Sequence, residues 1–193
     1  MKISLNDAVE QIANRAEDIL KNKPFLIMAI DGRCASGKTT LAAALQKKLC
    51  CNVIHMDDFF LRPEQRTAER LKLSGENIDH ERFLKEVLLP IKENKSFEFA
   101  PFDCKTFGFK PPVSLEKNRI TVVEGVYSCH HSLRDYYDLR IFLDVDKDTQ
   151  LQRITARNIS MVQTFINRWI PLEEAYFKDC DVVSICENSI ELI

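Results

Sequence analysis

The feature that most constrains this chain is a glycine-rich stretch at residues 32–39, GRCASGKT, placed directly behind an apolar run at 25–30, FLIMAI. A short unbroken apolar run bounded by a proline and an Asp-Gly pair is typical of a strand buried on both faces of a parallel sheet. Helical spacing resumes at once with Leu41, Leu45 and Leu49. The order strand, tight loop and helix places backbone N–H groups where they can wrap phosphate oxygens.

Each fixed position of this GxxxxGK[ST] pattern has a mechanical purpose. The glycines permit positive φ and a close approach of the backbone to a phosphate. Lys38 reaches the β and γ phosphates as a point charge, and Thr39 offers its hydroxyl to Mg²⁺. The variable loop positions, Cys34 among them, tolerate many residue types. We therefore expect nucleotide contacts from Gly32, Arg33, Cys34, Ala35, Ser36, Gly37, Lys38, Thr39 and Thr40.

The rest of the chain alternates between strand and helix patterns, which predicts a single α/β domain over residues 1–193 with a parallel sheet. An amphipathic helix is expected within residues 1–23, behind a cap at Ser4 or Asn6. Another helix is expected from Phe83 up to the Pro90 region. Further strands are expected at residues 52–56, 120–123 and 139–145, with a weaker candidate at 181–186.

Acidic side chains follow two of these strands. Asp57 and Asp58 come directly after the strand at 52–56, and Glu124 directly after the strand at 120–123. Ligands of parallel α/β sheets bind beyond the carboxyl ends of the strands. Phosphoryl transfer needs a carboxylate on the metal and a group that accepts the proton of the acceptor hydroxyl. Asp57 and Glu124 are the candidates. Asp58 is a weaker candidate, because adjacent side chains in extended backbone point to opposite sides.

Composition excludes several other classes of function. The 27 Lys plus Arg against 29 Asp plus Glu give a net charge of −2, so no global positive field is present to hold nucleic acid or an anionic membrane. The seven cysteines include no CxxC pair, which indicates a reducing compartment rather than a disulfide framework or a zinc ribbon. The longest apolar run is far short of the roughly 20 residues that span a bilayer. We interpret the protein as cytoplasmic, without nucleic-acid or membrane partners, and a homo-oligomer stays open.

Five segments in order carry a resemblance to a known family: IDGRCASGKTT, HMDDFF, NIDHERF, VVEGVYS and DLRIFLDVDKDTQLQRITARN. Together they resemble the uridine kinase branch of the P-loop kinases, over about residues 25–186. The resemblance implies a P-loop NTP hydrolase fold of the nucleoside-monophosphate-kinase type, with a five-stranded parallel sheet flanked by helices. It also implies that ATP and Mg²⁺ are used to phosphorylate a hydroxyl of a small molecule.

The same resemblance implies roles for individual residues. Asp57 would accept the hydroxyl proton and, with Thr39 and Glu124, organise the metal, while Lys38 and Arg157 would offset charge on the transferring phosphoryl group. Asp79 stands where the family holds ribose hydroxyls. Arg153 and Arg157 stand where arginines of a short lid, residues 150–170, approach the phosphates.

The acceptor side departs from the family pattern. Residues 96–112 fit neither period and are interpreted as an irregular insertion, in which Phe102 and Phe107 are candidates for acceptor contacts. Phe107 lies near the position of a histidine that reads the pyrimidine in the family, and Phe60 replaces a tyrosine. The resemblance makes uridine or cytidine the leading acceptors. The missing histidine favours the second hypothesis, a kinase for another hydroxyl metabolite such as a sugar, a pantothenate-like compound or a vitamin precursor. A nucleotide-binding regulatory module with little turnover is the third hypothesis.

His130 and His131 form the remaining notable pair. A metal site would need further ligands at matching spacing, and the neighbouring sequence offers none. The sequence therefore predicts solvated or structural histidines here.

Overall fold

A six-stranded sheet, in which every neighbouring pair of strands runs parallel, forms the centre of the computed structural model, which describes all 193 residues. Its spatial order is β1-β10-β9-β2-β8-β3. The strands of this sheet are β1 (Lys2–Ile3), β2 (Leu26–Gly32), β3 (Asn52–His55), β8 (Ile120–Glu124), β9 (Leu139–Asp144) and β10 (Asn188–Leu192). The predicted α/β class with a parallel sheet is confirmed.

Helices cover both faces of the sheet. They are α1 (Leu5–Leu20), α2 (Lys38–Leu49), α3 (His80–Phe83), α4 (Leu89–Lys92), α5 (Lys147–Arg157), α6 (Val162–Thr164), α7 (Ile170–Asp179) and α8 (Val182–Ile185). Single π-helical segments, Leu84–Leu88 and Phe165–Trp169, join α3 to α4 and α6 to α7. The expected N-terminal helix is present as α1, and the hydroxyl of Ser4 caps it by accepting a hydrogen bond from the Asp7 N–H.

The number and position of the C-terminal strands differ from expectation. The sheet has six strands rather than five, because two residues at the N terminus, too few to give a sequence pattern, pair with β10. Residues 181–186 contain the short helix α8 instead of a strand, and β10 follows it. A short apolar run does not by itself distinguish a strand from one helical turn, and here only Val182 of the run is fully buried.

The core lies in two layers, one on each face of the sheet. On one face α1 and α2 pack on the strands through buried side chains that include Val9, Ile12, Leu41 and Leu45. On the other face the α3–α4 and α7 helices pack around a cluster rich in aromatic side chains. Its largest buried members are Phe59, Phe83, Phe142 and Tyr176.

The segment at 96–112 is more regular than its sequence suggests. It contains β4 (Phe97–Phe99), which pairs antiparallel with β7 (Val113–Leu115), and a smaller hairpin of β5 (Phe102–Asp103) with β6 (Gly108–Phe109). Phe97 and Phe99 point to the same side of β4 and are buried in the core. The segment fits neither period in the sequence because a three-residue strand is too short to show one.

The residues expected to form a lid begin inside α5 and end at the first residue of α7. None of the helices combines the length and the apolar character needed to cross a membrane.

Candidate active site

The phosphate loop joins β2 to α2 in a geometry that its glycines make possible. Gly32 has φ +136°, and a Cβ placed there would lie 2.0 Å from the carbonyl oxygen of Leu143 on the neighbouring strand. Gly37 caps α2 with φ +104°. The Lys38 ammonium donates hydrogen bonds to the carbonyl oxygens of Gly32 at 2.7 Å and Arg33 at 2.8 Å. The loop therefore curls around its own lysine at the start of α2.

Two consecutive glutamates of α7 hold the first half of the loop. The Arg33 guanidinium donates two hydrogen bonds to Glu174, at 2.7 and 3.0 Å, and one to Asp144 at 2.5 Å. The Cys34 N–H donates to Glu173 Oε2 at 2.9 Å. A bidentate pair fixes orientation as well as distance, so α7 sets the position of the loop.

Burial changes the protonation behaviour of two of these groups. Desolvation raises the pKa of Glu173 to about 6, although Lys38 and the Cys34 N–H favour the charged form. Desolvation and the nearby Glu173 raise the pKa of the Cys34 thiol to about 12. Because a thiolate is the reactive form of cysteine, Cys34 is chemically quiet at neutral pH.

A set of oxygen donors lies at the ends of β3 and β8, beside the loop. The Thr39 hydroxyl donates to Glu124 Oε1 at 3.1 Å, and His55 Nδ1 lies 2.6 Å from the same oxygen. His55 and Glu124 are register partners in the β3–β8 ladder, which explains the pairing. Hydroxyl and carboxylate oxygens are the donors that Mg²⁺ prefers, so the residues present fit that ion.

Asp57 follows β3 and faces the same space. Its side chain is reached by solvent but lies within the cleft, and desolvation there raises its pKa, opposed by the charge of Lys38 and assisted by that of Glu124. A carboxylate with a raised pKa is a better proton acceptor than a free one.

These groups line a cavity of about 510 Å³. One end is lined by six residues of the phosphate loop together with Asp57, Glu124 and Arg157; the loop residues are Cys34, Ala35, Gly37, Lys38, Thr39 and Thr40. The other end is mainly aromatic and amphipathic. It includes Phe60, Arg66, Asn77, Tyr127, Phe165, Arg168 and Trp169.

The predicted phosphate-side residues are thus brought together, with Asp57, Lys38, Thr39, Glu124 and Arg157 on one cavity. Three of the nine expected nucleotide contacts, Gly32, Arg33 and Ser36, lie behind the cavity surface instead of on it.

None of the four predicted substrate contacts lines the cavity, and their contacts with an acceptor stay a prediction. Asp79 is 2% exposed and caps α3, its Oδ1 accepting from the Arg82 N–H and its Oδ2 from Gln65. Phe102 is buried against Phe109.

The remaining two predicted substrate contacts, Phe107 and Arg153, make contacts outside the cavity. Phe107 is 57% exposed and packs on the Arg66 guanidinium instead of facing the cavity. Arg153 donates to the Ala35 carbonyl oxygen at 3.1 Å, supporting the loop from behind.

Several residues of the site escaped the sequence reasoning. Asp31 is fully buried and accepts hydrogen bonds from the Gly32 and Cys129 N–H groups and from the Tyr176 hydroxyl. Its position at a strand end was the same signal that identified Asp57 and Glu124. Glu173 and Trp169 gave no signal, because they reach the cavity from a helix distant in sequence.

A phosphate loop on a parallel sheet, with carboxylates at two neighbouring strand ends on one cavity, defines a nucleotide-binding P-loop kinase. The comparison with family models makes this more particular. The chain belongs to the phosphoribulokinase / uridine kinase family, whose model matches residues 27–161.

Curated relatives agree with this family. The chain is 31% identical over 147 residues to uridine-cytidine kinase B of Dictyostelium discoideum, an alignment covering 71% of this chain and 59% of that protein. It is 28% identical over 144 residues to a uridine kinase of Macrococcus caseolyticus, covering 69% of this chain and 68% of the relative. The chain therefore spans about three fifths to two thirds of the length of these two proteins.

Solved structures share the fold. A protein described as a possible uridine kinase from Bacillus stearothermophilus superposes with a TM-score of 0.73 at 23% identity, covering 97% of this chain and 99% of that one. YFH7 from Saccharomyces cerevisiae superposes with a TM-score of 0.66 at 11% identity, covering 99% of both chains.

Proposed function

We propose that this protein transfers the γ-phosphoryl group of ATP, with Mg²⁺, to a hydroxyl of a nucleoside, with uridine and cytidine as the leading acceptors. The observation that carries the proposal is the shared cavity, on which Asp57 and Glu124 face the Lys38 and Thr39 end of the phosphate loop. The uridine and cytidine kinases among the relatives support the choice of acceptor.

In the proposed step Asp57 takes the proton of the acceptor hydroxyl as that oxygen bonds to the γ phosphorus. The bond from the γ phosphorus to the oxygen that bridges it to the β phosphate breaks, and ADP leaves with that oxygen. Lys38 and Arg157 offset the negative charge on the transferring group. Thr39 and Glu124 would hold Mg²⁺, which neutralises phosphate charge when bound.

The aromatic end of the cavity suits a planar acceptor. Phe60 and Trp169 lie with ring centroids 6.3 Å apart and planes tilted by 48°. Polar groups beside them can read the edge of a base. Asn77 donates to the Tyr127 hydroxyl at 3.3 Å, and Arg66 is on the same wall.

One observation favours the second candidate, a kinase for another hydroxyl metabolite. No histidine lines the cavity, and the residue expected at the base-reading position, Phe107, faces away from it. The chemistry of the phosphate end is the same for both acceptors.

The test is ADP release with ATP and Mg²⁺ over a panel of nucleosides, sugars and vitamin precursors, each against a blank without acceptor. We expect stimulation by uridine or cytidine, and a 10²–10⁴-fold lower kcat in Asp57→Asn, the usual contribution of a general base. Asp58→Asn is the matched control, because the adjacent carboxylate does not line the cavity.

Stimulation only by another acceptor would keep the mechanism and replace the substrate. Tight ATP binding without stimulation by any acceptor would favour a regulatory module. Equal turnover in Asp57→Asn and wild type would refute the assignment of the base.

A further inference from the structure

A second cluster of ligand-type side chains lies outside the cavity. Glu76, His80 and His130 direct one carboxylate oxygen and two imidazole nitrogens to within 4.8 Å of one another. Glu76 Oε1 lies 3.0 Å from His80 Nε2 and 3.6 Å from His130 Nε2. We call these three residues the Glu76–His80–His130 cluster.

Tertiary structure assembles this cluster. Glu76 and His80 are four residues apart where the chain enters α3, whereas His130 comes from the loop after β8, a separation of 50 residues from His80. Sequence spacing around His130 therefore could not show its partners.

His130 is in an unusual state for a buried polar side chain. It is 0% exposed, and its Nε2, the atom aimed at Glu76, has no hydrogen-bond partner. Buried polar atoms in folded proteins are nearly always paired, and an unpaired one calls for an explanation such as an ordered water or an ion. Leaving such an atom without a partner is costly.

Two of the three ligand-atom separations are close to those of a tetrahedral zinc ion. With Zn–N and Zn–O bonds of about 2.0–2.2 Å, neighbouring ligand atoms of a tetrahedron lie roughly 3.3–3.6 Å apart. The separation of Glu76 Oε1 from His130 Nε2, 3.6 Å, is within this range, and its separation from His80 Nε2, 3.0 Å, is slightly shorter. Two imidazoles and one carboxylate form a ligand set typical of zinc with a water in the fourth position.

The surroundings orient the carboxylate of the cluster. The other Glu76 oxygen, Oε2, pairs with Arg70 Nε at 2.8 Å, which leaves Oε1 directed at the two imidazoles. Arg70 also pairs with Glu81 at 2.8 Å, so its charge is compensated before a cation arrives. Partners of this kind, which hold a ligand from behind, are a regular feature of metal sites.

Binding would require three local adjustments. His80 Nε2 shares a hydrogen bond with Glu76 Oε1 at 3.0 Å, and that bond must give way to the ion. The imidazoles of His80 and His130 are nearly parallel, at 19° with centroids 4.5 Å apart, so one ring must turn toward a shared ion. His130 Nδ1 accepts a hydrogen bond from the Ser132 N–H at 3.3 Å, and coordination through Nε2 moves the ring proton to Nδ1 and breaks that bond. The bond is at the long end of the normal range, so its loss costs little beside a metal bond.

We propose that the Glu76–His80–His130 cluster binds one Zn²⁺, with a water as the fourth ligand, and so ties the chain before α3 to the loop after β8. Asn77, next to Glu76, and Tyr127, three residues before His130, meet through their own hydrogen bond on the acceptor wall of the cavity. The ion would fix that wall from behind, without contact with the reacting groups.

The first experiment measures binding of Zn²⁺ alone to untagged, metal-stripped protein by titration calorimetry. We expect one ion per chain, and at least tenfold weaker binding in His80→Gln and in Glu76→Gln. His131→Gln is the matched control, since it removes an exposed histidine whose ring contacts His130 but is outside the cluster. Equal affinity of wild type and His80→Gln would overturn the proposal.

A second measurement covers His130, whose substitution could prevent folding because the residue is fully buried. In ¹⁵N-histidine NMR of the wild-type protein, Zn²⁺ should shift the imidazole nitrogens of His80 and His130 among the four histidines. Shifts confined to His55 or His131 would contradict the site. Co²⁺ spectra separate a further outcome, since a thiolate charge-transfer band would place the ion on cysteines and refute the proposal.

Discussion

At the phosphate loop, polar groups are held by partners from several elements, whereas the acceptor end of the cavity is walled mainly by side chains packed on one another. Arg33 contacts acids of β9 and α7, and Lys38 is enclosed by the loop backbone. At the other end Trp169 lies against Phe60 and under the Arg168 guanidinium, 4.9 Å from its ring. Every phosphate group has the same shape, so a rigid phosphate loop suits it. Acceptors differ in shape, and the specificity of a wall made of aromatic rings and long side chains can change by single substitutions.

The largest expected effect is on the phosphate end. Lys38→Ala removes the cation that faces the β and γ phosphates, and we expect kcat/KM to fall by roughly 10³-fold, the scale of losing one preorganised electrostatic group. Lys47→Ala, on the exposed side of the same helix, should leave kcat/KM unchanged. Similar values for the two variants would mean that the loop does not hold the transferring phosphate.

The second effect compares two glycines. Gly32→Ala places a Cβ 2.0 Å from the Leu143 carbonyl oxygen at φ +136°, so we expect a loss of unfolding free energy of roughly 3 kcal/mol or more. Gly108→Ala, in the hairpin on the acceptor side, meets nothing nearer than 3.8 Å and should stay within about 0.5 kcal/mol. Urea denaturation of both variants measures the contrast, and a tolerated Gly32→Ala would show that the loop is less fixed than described.

A third effect is the pH dependence of stability that Glu173 causes at the phosphate loop. Burial raises the pKa of Glu173 in the folded protein above its ordinary value of 4.5, to about 6, so folding disfavours the ionised carboxylate. The wild type therefore loses stability from this group as pH rises from about 4.5 through 6, and the loss persists above. Glu173→Gln lacks this loss, and its unfolding free energy relative to wild type should rise by roughly 2 kcal/mol between pH 4.5 and 7. A difference that is flat with pH would contradict the assignment.

The smallest effect tests the acceptor wall itself. Trp169→Ala should raise the KM for the acceptor about tenfold at unchanged KM for ATP, because aromatic stacking on a base is worth about 1–3 kcal/mol. Phe107→Ala should change neither constant, since that ring lies outside the cavity on Arg66. If Phe107→Ala raised the KM for the acceptor and Trp169→Ala did not, the acceptor would bind beside Phe107 instead of Trp169.

The same contrast explains what the sequence could predict. Lys38, Thr39, Asp57 and Glu124 were identifiable because a parallel sheet brings its strand ends to one edge, so local sequence is enough to locate them. Asp31 obeys the same rule and could have been found.

The residues that line the acceptor side were harder to identify because they meet through tertiary packing. Asp79, expected at the acceptor, makes the N-cap of α3 in the structure, and its contact with an acceptor stays a prediction. Glu173 and Trp169 reach the cavity from a helix more than 100 residues beyond the phosphate loop. No local pattern marks such contacts.

The helical residues from 162 to 179 touch both ends of the cavity. Trp169 stands at the acceptor wall, Glu173 and Glu174 hold the phosphate loop, and the Tyr176 hydroxyl donates to Asp31 beneath it at 2.7 Å. This helical segment therefore connects the site of acceptor binding to the site of nucleotide binding. Any coupling free energy between the two binding events must be the same in both directions. The factor by which a bound acceptor tightens the hold on the nucleotide is then also the factor by which the nucleotide tightens the hold on the acceptor.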